Sequence, residues 1–538
     1  MTREPTFLEQ LADRHRREEA AADLRRTLDA RASKEAYRIA RIDKRSKEWQ
    51  PDLLSGDSSI AGNHLLMHAR FRDLFINNAQ FKKAKQSLIN LWIGDGIRAF
   101  SEPFDPWADF QVGDSLESFM DGLQLAFESD SWFDRWAEKE QCDIAGKQSW
   151  WDMQRMVGSE TVEGGHVLLL RCQRRGPGRL IPLCYQVIEK DQLDTSKDRP
   201  AAQGVNKIAG GIEVDRHGRP LFYHIFEAHP FEAEYQTFAG SKSTPVPAER
   251  VIHSCLFHRP SHTTAVSWFH AAAQSCFDSD GYISAEMQTA KKTALLAVIA
   301  LMEHPHAASL GIFDGDDDHD IYGNQEFALG NTATAAVMKK GDELKVIEPN
   351  GRPNSNAVDF LRHLDSYQAM GFGLSIERAT GRYENSYTAS RGAQLDDDLY
   401  IKPLQGWFGR QVILPVRRAV NAQFAMLRTY GSLSPAAFLR DEIRYQQFGV
   451  IGPGREQLDP EKETEAVLGK LRAGLTTLKI ECARRGLHWV RVLMEIAREK
   501  AVAAHFGLTL DFSKGQGGER KGDTRSDDRN SQKQGKAG

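Results

Sequence analysis

The sequence has no C-x-x-C pair, no G-x-x-x-x-G-K-[ST] phosphate loop and no excess of positive charge. Its six cysteines (Cys142, Cys172, Cys184, Cys255, Cys276 and Cys482) lie far apart, so neither a zinc knuckle nor a dense disulfide framework is suggested, and buried free thiols are expected. Without a phosphate loop the chain carries no recognisable ATP motor. No stretch reaches the roughly 18 apolar residues that a membrane helix needs, and MTREPTFLEQLADRHRREE lacks the apolar region of a secretory leader. The expectation is a protein that folds in the cytosol and engages no membrane. A formal net charge of -4 argues against tight sequence-independent binding of nucleic acid, because that depends on clustered Lys and Arg releasing condensed counterions.

What is there is length and helical periodicity. A chain of 538 residues exceeds what one hydrophobic core supports, so several packed units are expected. Residues 6–49 carry Leu and Ala at helical spacing among dense charges, as an exposed arm would. Residues 63–99 show a second helical pattern ending at Gly94, with Leu74, Phe75, Phe81, Leu88, Leu91 and Trp92 able to share a buried side. A helical, tryptophan-rich stretch spans about 115–160 (Trp132, Trp136, Trp150, Trp151). The period then changes. From His166 to Val187 and from Gly210 to Phe226, short apolar runs broken by polar turns predict antiparallel strands, and VPAERVIHSCLF adds one more. This reads as an α+β unit. Trp268 to Glu303 predicts one rod of roughly 50 Å, followed by a strand-and-loop insert over 310–349 with an acidic tip. Helical spacing returns at Val358–Met370, breaks in GFGLSIERATGRYENSYTAS, restarts at Arg391 and occupies 460–507 once more. The tail from Ser513 is rich in glycine and charge, hence expected to be disordered.

Enzyme-like strings fail on context. Gly94-Asp-Gly96-Ile-Arg-Ala99 matches a dinucleotide fingerprint but closes a helix, where a phosphate-binding loop leaves a strand, so a C-cap and turn explain it better. Gly113-Asp-Ser115-Leu and Asp316-Asp-Asp-His319 mimic two blocks of a serine hydrolase without the strand that presents the nucleophile; a helix N-cap is the simpler role for Asp114 or Ser115. Asp314, Asp316 and Asp318 open like a calcium loop, yet its sixth and twelfth positions hold His319 and Gln325. His304, His306 and His319 meet around a metal only if their loop folds back, which is the basis of an alternative reading as a metal-dependent hydrolase using the His304–Asp320 cluster. No catalytic residue, metal or cofactor is assigned.

Six blocks, in order, resemble the lambda-type family of phage portal proteins over roughly residues 36–510. RFRDLFINNAQFKKAKQSLINLWIGDGIR places Arg70, Arg72, Leu74, Asn77, Asn78, Gly94, Gly96 and Ile97 at the family's positions, and WFDRWAEKEQCDIAGKQSW is similar to its W-x-x-W-x(5)-C-D-x-x-G through Trp132, Trp136, Cys142, Asp143 and Gly146. GIEVDRHGRPLFYHI, VPAERVIH, GRYENSYTASR and LDPEKETEAVLGKLRAGLTTLKIECARRG follow. The chain departs from the pattern at Arg259 to Ala265, at Ser386 in place of an asparagine, and at Gly165-His166 in place of Gly-Glu.

The resemblance implies a portal-protein fold with a mixed wing, long stem helices, a small β clip and a helical crown. Residues 1–35 would be a charged N-terminal arm, 36–263 the wing, 264–303 a stem helix, 304–356 the clip, 357–372 the second stem helix, 373–390 a tunnel loop, 391–512 wing and crown helices, and 513–538 a disordered tail. It also implies a homo-oligomeric ring of about twelve copies at the portal vertex of the virion capsid, assembled in the host cytoplasm. The ring would pass double-stranded DNA during packaging and ejection. Its partners would be the major capsid protein, a scaffold, the large terminase subunit and a head-tail adaptor. Arg378, Arg382 and Arg391 are then candidate DNA-facing residues, and Asp314, Asp316, Asp317, Asp318 and Asp320 candidate contacts of the clip with terminase or adaptor. Asp278, Asp280, Glu286 and Glu303 outnumber Lys291 and Lys292 on the expected stem, an acidic lining that would repel phosphate and let the duplex slide.

Overall fold

The computed structural model describes residues 52–102, 116–232, 242–300, 326–328, 334–336, 355–383, 386–427, 429–431, 433–454 and 459–510. The N-terminal arm, Gly113–Ser115, the 304–320 cluster and the tail from Ser513 lie outside them. The chain divides into residues 1–62 and 63–538. In the first unit a short helix, α1 (Gly56–Ala61), starts where the Ser55 side chain accepts from the Ser58 N–H.

The apolar pattern over 63–99 resolves into two helices, α2 (His64–Asn77) and α3 (Ala79–Trp92), where the sequence suggested one. Asn78 divides them. Its backbone is extended, its N–H closes α2 on Leu74, and its side chain accepts from the Phe81 N–H to cap α3. Leu74, Phe75, Phe81, Leu88 and Trp92 are buried and Leu91 is partly so. After α3, Gly94 turns with φ 53° and donates to the Ile89 carbonyl, which is the C-cap and turn expected of the GDGIRA string. Strand β1 (Arg98–Ser101) follows directly.

Helices α4 (Leu116–Trp136) and α5 (Trp150–Gly164) carry the tryptophan-rich stretch. Trp136 and Trp150 are fully buried with Tyr185, and the Trp136 indole donates to the Leu183 carbonyl at 2.9 Å. The predicted antiparallel strands are present as two sheets. One has the order β3-β2-β8, from β2 (His166–Gln173), β3 (Leu183–Ile188) and β8 (Val251–Cys255). The other runs β4-β5-β6-β7, from β4 (Lys207–Ala209), β5 (Ile212–Val214), β6 (Pro220–Phe226) and β7 (Ser243–Pro247). Because side chains alternate along a strand, β2 serves two cores: Val167 and Leu169 join the large helical core, and Leu168 joins Ile188, Ile212, Tyr223 and Ile225 between the sheets.

The long helix α6 (His270–Ala300) runs through Gly281, and α7 (Ser355–Phe372) packs beside it, with Tyr282 and Phe360 in edge-to-face contact. At 31 residues α6 is roughly 46 Å long. Two strands of the predicted insert, β9 (Glu326–Ala328) and β10 (Thr334–Ala336), pair antiparallel.

The segment 373–390 is not the plain loop that its breakers suggested. It contains a helical turn, α8 (Ile376–Thr380), which packs on α3 and buries Glu377 and Ala379. Helix α9 (Tyr387–Phe408) begins four residues before Arg391 because Ser386 accepts from the Ala389 N–H; serine in the family's asparagine position keeps the capping function. A π-helical segment, Gly409–Ile413, leads from α9 into α10 (Leu414–Met426). Pro415, at the start of α10, has no N–H to donate into the preceding turn, and the wider turn accommodates that. Then come α11 (Pro435–Arg440), β11 (Phe448–Ile451), α12 (Pro460–Arg472), α13 (Leu478–Arg484) and α14 (Trp489–His505). β11 returns to pair with β1, Arg98 opposite Ile451. All six cysteines are buried free thiols, as expected.

Candidate functional site

Arg378 sits on α8 and Arg382 just after it, between α7 and α9, and Arg391 lies in the first turns of α9; neighbouring side chains hold these pieces. Asp397 of α9 accepts from both the backbone N–H and the hydroxyl of Ser375, 2.7 Å each, fixing the start of α8. Gly381 ends α8 in the left-handed conformation. Arg382 turns back to Asp365 on α7 at 3.0 Å, and Asp365 also accepts from Gln80 of α3. One of the three arginines is therefore neutralised locally.

Arg378 and Arg391 instead line a groove. One wall is α9 with the end of α3, and the other is α12 and α13 with the turn Gly452–Gly454. Lys83, Lys402 and Lys470 join the two arginines there, and sequence reasoning had placed none of these lysines with them. Lys83, Arg378, Lys402 and Lys470 have no ion-pair partner among the described residues. Four carboxylates line the groove as well, Asp397, Asp398, Glu463 and Glu481; Asp397 accepts from Ser375, and Glu481 pairs with Arg484 and Arg485 and accepts from Thr476. Tyr383 stands at the rim, 66% exposed.

The expected acidic stem lining is only partly free. Asp280 accepts from Asn78 at 2.7 Å, and Asp278 accepts from Gln274 at 3.0 Å. The aspartates 314, 316, 317, 318 and 320 lie outside the described residues, as does Glu303.

A second charged cluster was not anticipated. Glu189, Asp191 and His229 converge with ligand atoms within 4.8 Å of one another, the donor set of a metal site. Arg72 occupies the centre instead, bonded to Glu189 and 2.8 Å from Asp191, and His68 lies 3.2 Å from the same aspartate. The cluster is thus a neutralised ion-pair network. At its edge, burial and the like charges of Glu163 and Glu189 push the Glu160 carboxyl up to about 7, and burial pulls the Lys190 ammonium down to about 8.

The six blocks that carried the resemblance have structural work to do. Gly96 has φ 116°, and a Cβ there would lie 2.7 Å from Trp151, so only glycine fits. Asp143 accepts from the N–H groups of Ala145, Lys147 and Gln148, tying the turn after Cys142. The profile of the family described as phage portal protein, lambda family, matches residues 43–405, most of the chain. The chain belongs to that family.

Similarity to individual portal proteins runs further than the profile. The probable portal protein of Halomonas phage phiHAP-1 is 24% identical over 82% of this chain and 81% of its own length. Portal protein B of Escherichia phage lambda is 21% identical over 86% of this chain and 88% of its own. Among solved structures, a chain in the neck of an empty gene transfer agent particle aligns with 79% of this chain and 94% of its own, at 13% identity and a TM-score of 0.36. This portal chain handles its departure at Gly165-His166 with a local partner. Gly165 caps α5 in the left-handed region with Val266 against it, and the His166 ring meets His253 at 3.1 Å. His253 in turn contacts the Tyr223 hydroxyl at 3.3 Å, which bridges the two sheets. Burial holds both histidines below their usual value, His253 at about 4, so they are neutral.

Proposed function

We propose that this portal-family chain is the subunit of a ring at one vertex of a phage capsid, through which double-stranded DNA enters during packaging and leaves at ejection. The observation that carries the reading is the family match over residues 43–405. The exposed faces of the rod pair support it: Phe277 and Met287 on α6, and Val358, Tyr367 and Met370 on α7, are more than half exposed on helices that leave them without cover. Apolar side chains of that kind are buried when identical neighbours close a ring through heterologous contacts. The wing, stem, clip, tunnel-loop and crown boundaries given above belong to this proposal, as do a copy number of about twelve and partnership with the major capsid protein, scaffold, large terminase subunit and head-tail adaptor.

In this reading the protein makes and breaks no bonds. Arg378 and Arg391 are the DNA-facing candidates whose charge is not spent on an ion pair, and Arg382 holds α7 through Asp365. The clip aspartates from Asp314 to Asp320 offer an acidic docking face to terminase or adaptor. Imaging the purified full-length chain by negative-stain electron microscopy, with a mass measurement, tests the proposal. Rings with a central hole near the ~20 Å width of a duplex are the expected result. A monomer that persists at high concentration overturns it.

A further inference from the structure

We propose that the groove between α9 and the α12–α13 pair is a binding site for the phosphodiester backbone of DNA, distinct from passage of a duplex through a central hole. Four cations without ion-pair partners, Lys83, Arg378, Lys402 and Lys470, face it from both walls. With Arg391, Arg484 and Arg485, seven cations line it in all, against four carboxylates, Asp397, Asp398, Glu463 and Glu481, of which Asp397 and Glu481 are already engaged by local hydrogen bonds and ion pairs. The local field is therefore positive in a chain whose net charge is -4.

The arrangement selects the class of ligand. The cations are spread over α3, α8, α9 and α12 rather than gathered at one point, and Arg391 and Lys402 on α9 alone stand about 16 Å apart, too far for one phosphate to meet both. The ligand is thus a linear polyanion. Tyr383, whose ring is exposed at the rim, offers a stacking surface that bases use and an acidic peptide does not need. Lysine and arginine on a helix that starts at a serine cap and is anchored by buried Ile401, Leu404 and Phe408 present fixed charges to the backbone. The cleft binds backbone, so it carries no sequence preference.

The proposal rests on the portal reading for the identity of the polymer, and the two are separated by the experiment. Full-length protein is titrated into fluorescein-labelled duplex and single-stranded oligonucleotides at several salt concentrations, and the anisotropy is followed. The Lys402→Glu/Lys470→Glu variant is compared with Lys147→Glu/Lys242→Glu, which makes the same charge change away from the groove. Wild type is expected to bind with strong salt dependence. The groove variant is expected to bind at least about tenfold more weakly, with the duplex salt slope reduced by nearly 2, while the control variant follows wild type. Equal losses in both variants, no loss in either, or displacement of DNA by polyglutamate at equal charge concentration overturns the groove site. The same samples are imaged. Rings without groove-dependent binding sink this inference alone, and groove-dependent binding by a chain that forms no rings upholds it while the portal reading fails.

Discussion

The sheet-and-helix half of the molecule and its α6–α7 and α12–α14 helices obey different rules. In the first, Trp92, Trp136 and Trp150 are completely buried, Trp92 stacks on Trp268 at 5.1 Å, and Arg417 is enclosed with no exposure between Phe133 and Phe448. In the second, α12 buries no residue, α14 buries only Val490 and Ala503, and Leu475, Phe506 and Met370 are more than 70% exposed. One half satisfies its apolar surface internally. The other carries apolar surface that the single chain does not cover, and so its sequence is answerable to assembly rather than to the stability of one copy.

Substitutions can break that contrast, and the largest effect falls in the enclosed half. Trp136→Ala removes a packed indole and its bond to the Leu183 carbonyl, and a loss of about 3–5 kcal/mol is expected in urea unfolding. Arg417→Met strips the nearer of two arginine partners from buried Asp130, 2.8 Å away, leaving Arg491 at 3.4 Å, and also removes the donor to the Ala99 carbonyl; a loss of about 3 kcal/mol is expected. Acid acts on the same half. His253 titrates near 4 when folded and near its ordinary value when unfolded, so the unfolded chain binds more protons between those points. Stability should then fall as pH drops from about 6.5 toward 4, by on the order of 3 kcal/mol from this histidine, with the melting temperature as the readout. Glu160, raised to about 7, contributes with the opposite sign, its share being lost as pH rises from about 4.5 to 7, and Glu160→Gln should steepen the acid loss. The smallest effect on one copy is expected at Met370→Ser on α7, where the side chain is 74% exposed: unfolding should move by less than about 0.5 kcal/mol, while ring yield in electron micrographs drops. An equal loss of monomer stability there would erase the distinction between the halves.

What could be read in advance follows the range of the interactions. Helical spacing identified the buried set from Leu74 to Trp92, and short apolar runs broken by polar turns identified the strands around His166 and Gly210, because those signals are complete within a few residues. The division at Asn78 was missed since an asparagine inside an apolar pattern looks like a tolerated polar residue until its side chain is seen to cap α3. Motif order was enough to reach the family. The groove was not legible, because Lys83, Arg391 and Lys470 are brought together by helices far apart in the chain. Nor was the neutralisation of Arg382, whose carboxylate partner is on α7.

The pairing of β1 with β11 sets a schedule for synthesis. Arg98 waits for Ile451, roughly 350 residues later, and Asp130 waits for Arg417, about 290 residues later. At about 5–20 residues per second the ribosome needs tens of seconds to deliver those partners. During that interval the strand edge at Phe100 and the lone Asp130 carboxylate stay open on the nascent chain. Delivery of β11, rather than emergence of the first helices, is the earliest moment at which a subunit is closed enough to meet its neighbours.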